Sequence, residues 1–273
     1  MKCYTVFGGR GFIGSEIVGM LEASGQDVWV PPRDDENIFE TDLGIVIYSA
    51  GQGDCKNSPL GVFDANCRLL ADLLERGKFE RLVYVSSTRV YMNHDSSSEE
   101  DDLKVCTDDQ RRLFNLTKLV SEELCLKSGR NITIVRPSNV YGVALHSPLF
   151  LPAITRNAIN NGKVDMYIDH NYAKDYVSVT DVASACIALA DHPDSLGEVI
   201  NIAAGYNITA QQIADVLQKH TECDVIWHNI SFPNEIFPET NIEKIKSYIK
   251  DYKPRNVLFD LEKMIADFYT YLK

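Results

Sequence analysis

Three glycines near the N-terminus have the spacing of a loop that holds a phosphate. Gly8, Gly11 and Gly14 follow a short apolar run and open a segment whose apolar residues recur at helical spacing. In such a strand-turn-helix unit the first glycine permits the turn, the second lets backbone approach a pyrophosphate, and the third lets helix pack on strand. The amides of Phe12 and Ile13 at the helix start would face the anion. The array predicts a dinucleotide site.

The end of the second predicted strand bears on the choice between NAD and NADP. An acidic residue there binds the ribose hydroxyls of NAD, whereas an arginine accommodates the 2′-phosphate of NADP. Pro32 stands where the acid is expected and Arg33 follows it, which favours NADP slightly. Asp34 and Asp35 come next and would serve NAD after a small shift of the loop. A role for Arg33 as a plain surface charge explains it almost as well, so both cofactors stay open.

Short aliphatic runs alternate with helical patterns along most of the chain. This alternation predicts an α/β fold, with a doubly wound parallel sheet covered by helices on both faces. The predicted strands are Tyr4 to Phe7, Val28 to Val30, Gly44 to Tyr48, Arg81 to Ser86, Asn131 to Val135 and Glu198 to Ile202. After the glycine loop, the predicted helices are Leu60 to Glu75, Asp109 to Lys127, Phe150 to Asn160, Val182 to Asp191, Thr209 to His220 and Asn256 to Leu272.

Composition narrows the class of protein. The 273 residues are 45% hydrophobic and 24% charged, as in an ordinary globular chain. Acidic residues outnumber basic ones by 39 to 27, and the net charge of -12 would repel nucleic acid. The seven dispersed cysteines include no Cys-x-x-Cys pair, and the N-terminal apolar run is too short for a signal peptide. We expect a cytoplasmic protein with no membrane partner and no metal.

Several motifs, in order along the chain, resemble the extended short-chain dehydrogenase/reductases, specifically the NAD(P)-dependent epimerase/dehydratase group that modifies nucleotide sugars. The resemblance covers almost the whole chain. It rests on the glycine loop, Tyr48 to Gly51, Val83 to Tyr91, Leu116 to Glu122, Arg136 to Gly142 and Lys174 to Val182. It implies a Rossmann-like dinucleotide-binding domain at 1–142 and about 171–203, lined by Ala50 and Gly51 at the cofactor. A small C-terminal α/β substrate subdomain would comprise 143–170 and 204–273.

The resemblance also implies the catalytic positions. Ser87, four residues before Tyr91, matches the family's serine or threonine that hydrogen-bonds the reacting sugar oxygen. Lys118 matches the lysine that binds the nicotinamide ribose and lowers the pKa of a catalytic tyrosine four residues earlier. That earlier position is Phe114, and a phenyl ring has no proton to give or take.

Four explanations of Phe114 compete. In the first, another side chain reaches the sugar oxygen; in the second, a water held by Ser87 and Lys118 relays the proton. In the third, the reaction needs no proton transfer at that atom; in the fourth, the protein has lost catalysis and kept binding. Candidates for the first explanation, each of which packing or surface placement would also explain, are Tyr91, Tyr141, Thr88, Cys106 and His94.

Two further departures from the family pattern concern the reaction and the cofactor. The family's sugar dehydratases have aspartate and glutamate directly after the catalytic threonine, whereas this chain has Thr88 and Arg89. Dehydration is therefore disfavoured, which leaves epimerisation or reduction of a keto-sugar.

Only about a dozen residues separate the second strand from Gly44 to Tyr48, too few for a full crossover. The dinucleotide domain is therefore predicted to be trimmed between strands two and four of the family's fold.

On the substrate side, the resemblance implies that Thr88, Asn139 and Lys174 contact the nucleotide sugar. Asn139 in a turn and Lys174 as a surface charge are the plainer alternatives. The resemblance also implies a homodimer, in which the helices Leu60 to Glu75 and Asp109 to Lys127 would pair with a second subunit. The leading hypothesis is an NAD(P)-dependent nucleotide-sugar epimerase or keto-sugar reductase, an isomerase or an oxidoreductase, with an altered proton-transfer group. The alternative is a catalytically inactive NAD(P)-binding sensor or scaffold on the same fold.

Overall fold

The structure, a computed structural model, describes residues 2–145, 147, 149–229 and 235–272. The strands are β1 (Cys3–Phe7), β2 (Asp27–Trp29), β3 (Ile45–Tyr48), β4 (Arg81–Val85), β5 (Ile132–Pro137), β6 (Asn139–Tyr141), β7 (Lys163–Met166), β8 (Ala173–Ser178), β9 (Val199–Ile202), β10 (Asn207–Thr209) and β11 (Asp224–Trp227). The helices are α1 (Phe12–Ala23), α2 (Pro59–Phe63), α3 (Leu69–Arg76), α4 (Arg112–Lys127), α5 (Phe150–Asn161), α6 (Val179–Asp191), α7 (Ala210–Thr221), α8 (Glu243–Tyr248) and α9 (Val257–Leu272).

Six strands form one parallel sheet in the order β2-β1-β3-β4-β5-β9. Side chains alternate across its two faces, as β4 illustrates. Val83 and Val85 pack in one core with α1 and α6, whereas Leu82 and Tyr84 pack in a second core with α3 and α4. A parallel sheet buried on both faces by helices confirms the predicted doubly wound α/β fold.

A smaller unit follows along the chain. Strands β10, β8 and β6 form a three-stranded sheet, and β11 pairs with β7 in parallel. Residues of α5, α7 and α9 share a third hydrophobic core with these strands. Among the described residues, no helix combines the length and apolar character needed to cross a membrane.

The connection between β2 and β3 is short. It holds a 3-10 helix, Glu36–Phe39, instead of an α-helix. Asp35 caps this turn by accepting a hydrogen bond from the backbone N–H of Asn37 at 3.0 Å. Ile38 is buried beneath it against the sheet. This half of the sheet therefore has a thinner cover than the half that carries α3 and α4.

The strand order fixes where a ligand can bind. The chain passes from β1 to β2 on one side and to β3 on the other, so the order reverses between β1 and β3. In open α/β sheets a crevice forms at the carboxyl ends of the strands at such a point. The loops after β1, β3, β4 and β5 meet there, and they carry most of the predicted site residues.

Candidate active site

The loop between β1 and α1 brings the predicted glycines to the carboxyl edge of the sheet. Gly8 has a φ of 78°, in the left-handed region, and a Cβ there would lie 2.6 Å from the backbone nitrogen of Ala50. A Cβ on Gly14 would collide with the carbonyl of Gly8. Gly11 is the N-cap of α1 and has no side chain to cap it. The first backbone N–H groups of the helix, which have no partner within it, are those of Phe12, Ile13 and Gly14.

These residues fit the pyrophosphate and nicotinamide parts of a dinucleotide. Backbone can approach a ligand where a Cβ has no room, and the start of α1 attracts an anion. Ala50 and Gly51 follow β3 on the other side of the crevice. A Cβ on Gly51 would lie 3.4 Å from Nζ of Lys118, so Gly51 is next to this amine.

The adenosine end of the cofactor would meet the segment after β2. Arg33 and Asp34 are exposed there, and no described residue pairs with Arg33. Asp35 binds both the backbone and the side-chain amide of Asn37, so one of the two acids considered for NAD is already engaged. Arg33 therefore remains available to a phosphate.

Lys118 is buried on α4, with 4% of its surface exposed. Its Nζ donates a 2.9 Å hydrogen bond to the carbonyl of Val85, at the end of β4, and lies 5.0 Å from the ring centroid of Tyr84. Burial lowers the pKa of Lys118 to about 8. The amine thus stands between the ends of β3 and β4.

Phe114 lies one helical turn before Lys118, and its ring is buried. The ring centroid is 5.7 Å from Nζ of Lys118 and 4.6 Å from the guanidinium carbon of Arg111. A Cβ on Gly53 would lie 2.8 Å from Nη2 of Arg111, so this glycine makes room for the guanidinium. Position 114 therefore offers an apolar ring with a cation stacked on it.

Ser87, Thr88 and Asn139 lie along the opposite wall. Oγ of Ser87 accepts a hydrogen bond from the N–H of Arg89 at 3.2 Å and caps the 3-10 helix that follows β4. Thr88 and Asn139 line one small cavity, and Nδ2 of Asn139 donates to the carbonyl of Asp175 at 2.8 Å. The structure brings Thr88 and Asn139 together, with Ser87 adjacent in the chain.

A cluster of charges adjoins this wall. The buried guanidinium of Arg89 donates to Asp109 at 2.8 Å and to Glu235 at 2.7 Å. Glu235 also accepts a 3.0 Å hydrogen bond from Tyr172, and its carboxylate lies 3.9 Å from Nζ of Lys174. Burial opposes ionisation of Glu235, but the hydrogen bond and charge of Arg89 outweigh it and lower the pKa. Lys174 is therefore part of this cluster through Glu235. Burial lowers the pKa of Lys174 to about 8.

Tyr91 lines the same small cavity as Thr88 and Asn139, and its hydroxyl is engaged in a buried polar network. Its hydroxyl donates to Asn201 at 3.0 Å and accepts from Arg136 at 2.6 Å. Arg136 forms a two-point ion pair with Glu122, which also accepts a hydrogen bond from Ser86. Burial raises the pKa of Tyr91 to about 12 despite the nearby Arg136. This network stabilises the walls of the site.

The other candidates for the missing hydroxyl differ in their surroundings. Tyr141 donates to Asp260 at 2.9 Å in the smaller unit, and burial raises its pKa. A ring nitrogen of His94 lies 3.1 Å from a main-chain carbonyl, and Sγ of Cys106 accepts from a side-chain amide at 3.6 Å. Thr88 lines the cavity and makes no side-chain hydrogen bond within the described chain.

Sequence reasoning missed several residues of the site. Arg111 lies three residues before Phe114, and this spacing alone would have placed the two side chains on one helix face. Glu235 comes from a segment far from the recognised motifs, and Tyr172 lies two residues before the motif that starts at Lys174. Nothing in the sequence signals that these two residues share a cluster with Arg89.

The fold and the site define a dinucleotide-binding α/β protein of the short-chain dehydrogenase type. Comparison with protein families gives the same answer, because residues 4–203 match the NAD dependent epimerase/dehydratase family. The chain belongs to this family. A relative from Methanocaldococcus jannaschii, provisionally named a UDP-glucose 4-epimerase, is 24% identical over 84% of this chain and 83% of its own length.

Two solved structures illustrate the similarity. MoeE5 in complex with UDP-glucose and NAD superposes with a TM-score of 0.87 at 20% identity, covering 99% of this chain and 100% of that one. The UDP-N-acetylglucosamine 4-epimerase from Methanobrevibacter ruminantium M1, in complex with UDP-N-acetylmuramic acid, gives 0.84 at 19% identity and covers 100% of this chain and 99% of its own. At about 20% sequence identity, the similarity to these two structures shows that the chain shares their fold.

Proposed function

We propose that the protein is an NAD(P)-dependent enzyme that epimerises nucleotide sugars or reduces keto-sugars attached to nucleotides. The observation that carries this proposal is the position of Lys118. Burying a lysine disfavours its charged form, so a purely structural role would be served better by an apolar side chain. A cofactor ribose beside Gly51 would give the buried amine a partner and account for its retention.

The residues of the site take distinct roles in this proposal. The bound cofactor supplies hydride exchange at a sugar carbon. The N–H groups at the start of α1 hold its pyrophosphate, and Lys118 orients its ribose. Ser87 holds the reacting sugar oxygen. Phe114 cannot move the proton of that oxygen, so we assign this step to water between Ser87 and Lys118, whose pKa of about 8 suits proton exchange near neutral pH.

Elimination of water from the sugar is disfavoured. The two positions after Ser87 carry Thr88 and Arg89 in place of an acid pair. The ion pairs of Arg89 with Asp109 and Glu235 hold its guanidinium in the charged form, which cannot act as a base. A second candidate function is binding without turnover, which Phe114 favours, because loss of a proton-transfer hydroxyl removes one step and leaves the cofactor cradle intact.

The first experiment is the analysis of nucleotide released from the denatured protein, followed by fluorescence titration with NADPH and NADH. Tightly held oxidised cofactor would support an epimerase that recycles its hydride, and readily exchanged NADPH would support a reductase. Binding of neither cofactor would refute the enzyme proposal.

A single substitution then separates catalysis from binding. We expect Ser87→Ala to abolish turnover of the sugar that is processed while cofactor affinity is unchanged. Full activity in Ser87→Ala would exclude Ser87 as a catalytic group, and binding without turnover in the parent protein would support the sensor or scaffold.

A homodimer in the cytoplasm completes the proposal. Helices α2 and α4 carry six large apolar side chains that are exposed within the described chain, and such patches mark interfaces. They are Leu60, Phe63, Leu116, Val120, Leu124 and Leu126. All seven cysteines are free thiols, in keeping with a reducing compartment. Light scattering on Val120→Glu against the parent protein tests the dimer.

A further inference from the structure

Arg111 is a cation without a carboxylate partner in the described chain. Its guanidinium makes no hydrogen bond or ion pair there; it lies 4.6 Å from the ring centroid of Phe114 and beside Gly53. The residue is exposed to the cleft. Partial burial and the nearby charge of Arg89 lower the pKa of Arg111, which is the expected effect when cations crowd one concave site.

The surrounding charges do not balance. Arg89, Arg111 and Lys174 contribute three positive charges, and the carboxylates facing them are Asp109 and Glu235. Both carboxylates are already engaged. Asp109 accepts from Arg89 at 2.8 Å, from the backbone of Arg111 at 2.7 Å and from an asparagine amide at 2.9 Å. Glu235 binds Arg89 and a tyrosine hydroxyl. An excess positive charge therefore lies within a protein whose net charge is -12.

The position of this charge indicates which part of a ligand it meets. Arg111 stacks on Phe114, one turn before Lys118, and therefore lies at the reacting end of the cleft. Lys174 lies farther along, between the rings of Tyr172 and Phe237 at 4.9 and 4.8 Å. We assign the diphosphate of the nucleotide to Lys174, which leaves Arg111 to the sugar.

We propose that Arg111 binds a carboxylate carried by the sugar, so that the substrate class is a nucleotide sugar acid. This inference rests on the proposed function. The guanidinium carbon of Arg111 lies 4.6 Å from the centroid of the Phe114 ring, and a guanidinium offers paired N–H groups that carboxylates accept in two-point hydrogen bonds. A side chain at position 53 would crowd Nη2 of Arg111, and glycine leaves that space free.

The test compares UDP, UDP-glucose and UDP-glucuronic acid by calorimetry on the cofactor-loaded protein. The two sugars differ by one carboxylate and share the diphosphate, so their affinity ratio isolates the acidic group. We expect the acid to bind about tenfold more tightly, as for a charge-assisted two-point contact. Arg111→Gln should reduce the ratio to about one and leave the affinity for UDP-glucose unchanged.

Arg112→Gln is the matched control, because Arg112 is the next residue, is exposed and contacts only the carbonyl of Thr107 at 3.2 Å. It should keep the preference for the acid. Equal affinity of the parent protein for both sugars overturns the inference. Equal loss for both sugars in Arg111→Gln also overturns it, because the guanidinium then binds the diphosphate. Binding of none of the three ligands overturns the proposed function as well.

Discussion

The proposed cofactor cradle and the proposed reacting centre are built differently. The cradle is formed by backbone at Gly8 and Gly14, where an added Cβ would strike main-chain atoms. The reacting centre would be formed by side chains, with Lys118 of α4 and Arg111 just before the helix both lying near the ring of Phe114. A backbone cradle tolerates almost no substitution, whereas a side-chain site can change its chemistry one residue at a time without disturbing the sheet.

The largest effect is expected from Gly14→Ala. The new Cβ would meet the carbonyl of Gly8, which cannot move without displacing the loop against Ala50. We expect NADH and NADPH affinity to fall about a hundredfold and stability to drop by about 2 kcal/mol or more. Gly19→Ala is the control, since a Cβ there meets nothing within 4 Å. It should stabilise α1 by about 0.5–1 kcal/mol. Equal behaviour of the two variants would disprove the close approach.

Phe114→Tyr tests the reacting centre directly. A hydroxyl at this position, beside a buried lysine, should restore a proton-transfer group and raise kcat about tenfold or more. Phe63→Tyr adds the same hydroxyl on an exposed face and should leave kcat unchanged. The measurement is the steady-state kcat of both variants and the parent protein, with the sugar nucleotide that the parent protein turns over. An unchanged rate in Phe114→Tyr would mean that the reacting oxygen lies elsewhere.

Lys118→Met should raise the free energy of unfolding and lower the affinity for the cofactor. The pKa of Lys118 falls from 10.5 to about 8 on folding, so the unfolded chain binds more protons between these values. The free energy of unfolding therefore rises with pH from about 8 to 10.5, and the charged amine is a liability below that window. We expect the variant to gain about 1–2 kcal/mol at pH 7, with the gain shrinking towards pH 10.5. Its cofactor affinity should fall about tenfold.

Urea denaturation of both proteins at pH 7 and pH 10 measures this difference. Comparison with the parent protein cancels the similar contribution of Lys174, which both share. A variant that is less stable at both pH values would indicate that the hydrogen bond to Val85 outweighs the burial of charge.

The smallest effect is expected at the edge of the cradle. Arg33→Ala should weaken NADPH binding about threefold to tenfold, because one exposed charge contributes little. NADH binding in the same variant is the internal control and should not change. Loss of affinity for neither cofactor would make Arg33 a plain surface charge.

The sequence could predict the features that depend on local pattern. Predicted strands such as Arg81 to Ser86 and Glu198 to Ile202 agree with β4 and β9 within a residue or so, because buried parallel strands read as aliphatic runs. The helix predicted from Asp109 begins at Arg112 instead. The side chain of Asp109 is bonded to Arg89 and to the backbone of Arg111, so it is held outside the helix.

The features that the sequence could not predict depend on contacts between distant segments of the chain. The pairing of Arg89 with Glu235 joins positions 146 residues apart, and no spacing rule reports such a contact. The short strands β7 and β11, which start at Lys163 and Asp224, also pair across a long interval and were not predicted. Motif resemblance predicts roles for Ser87 and Lys118, but the cluster formed by Arg89, Asp109, Glu235 and Lys174 is visible only in the folded chain.

Both free edges of the main sheet are protected against added strands. The strand β2 has three residues and leads into Pro31 and Pro32, which cannot donate backbone hydrogen bonds. At the opposite edge, the N–H of Asn201 in β9 is taken by the carboxylate of Glu99 at 2.9 Å. The short connection after β2 thus also keeps that edge too brief to template aggregation. Copies of this protein should therefore associate through their helices, and should not aggregate by adding strands at the edges of the sheet.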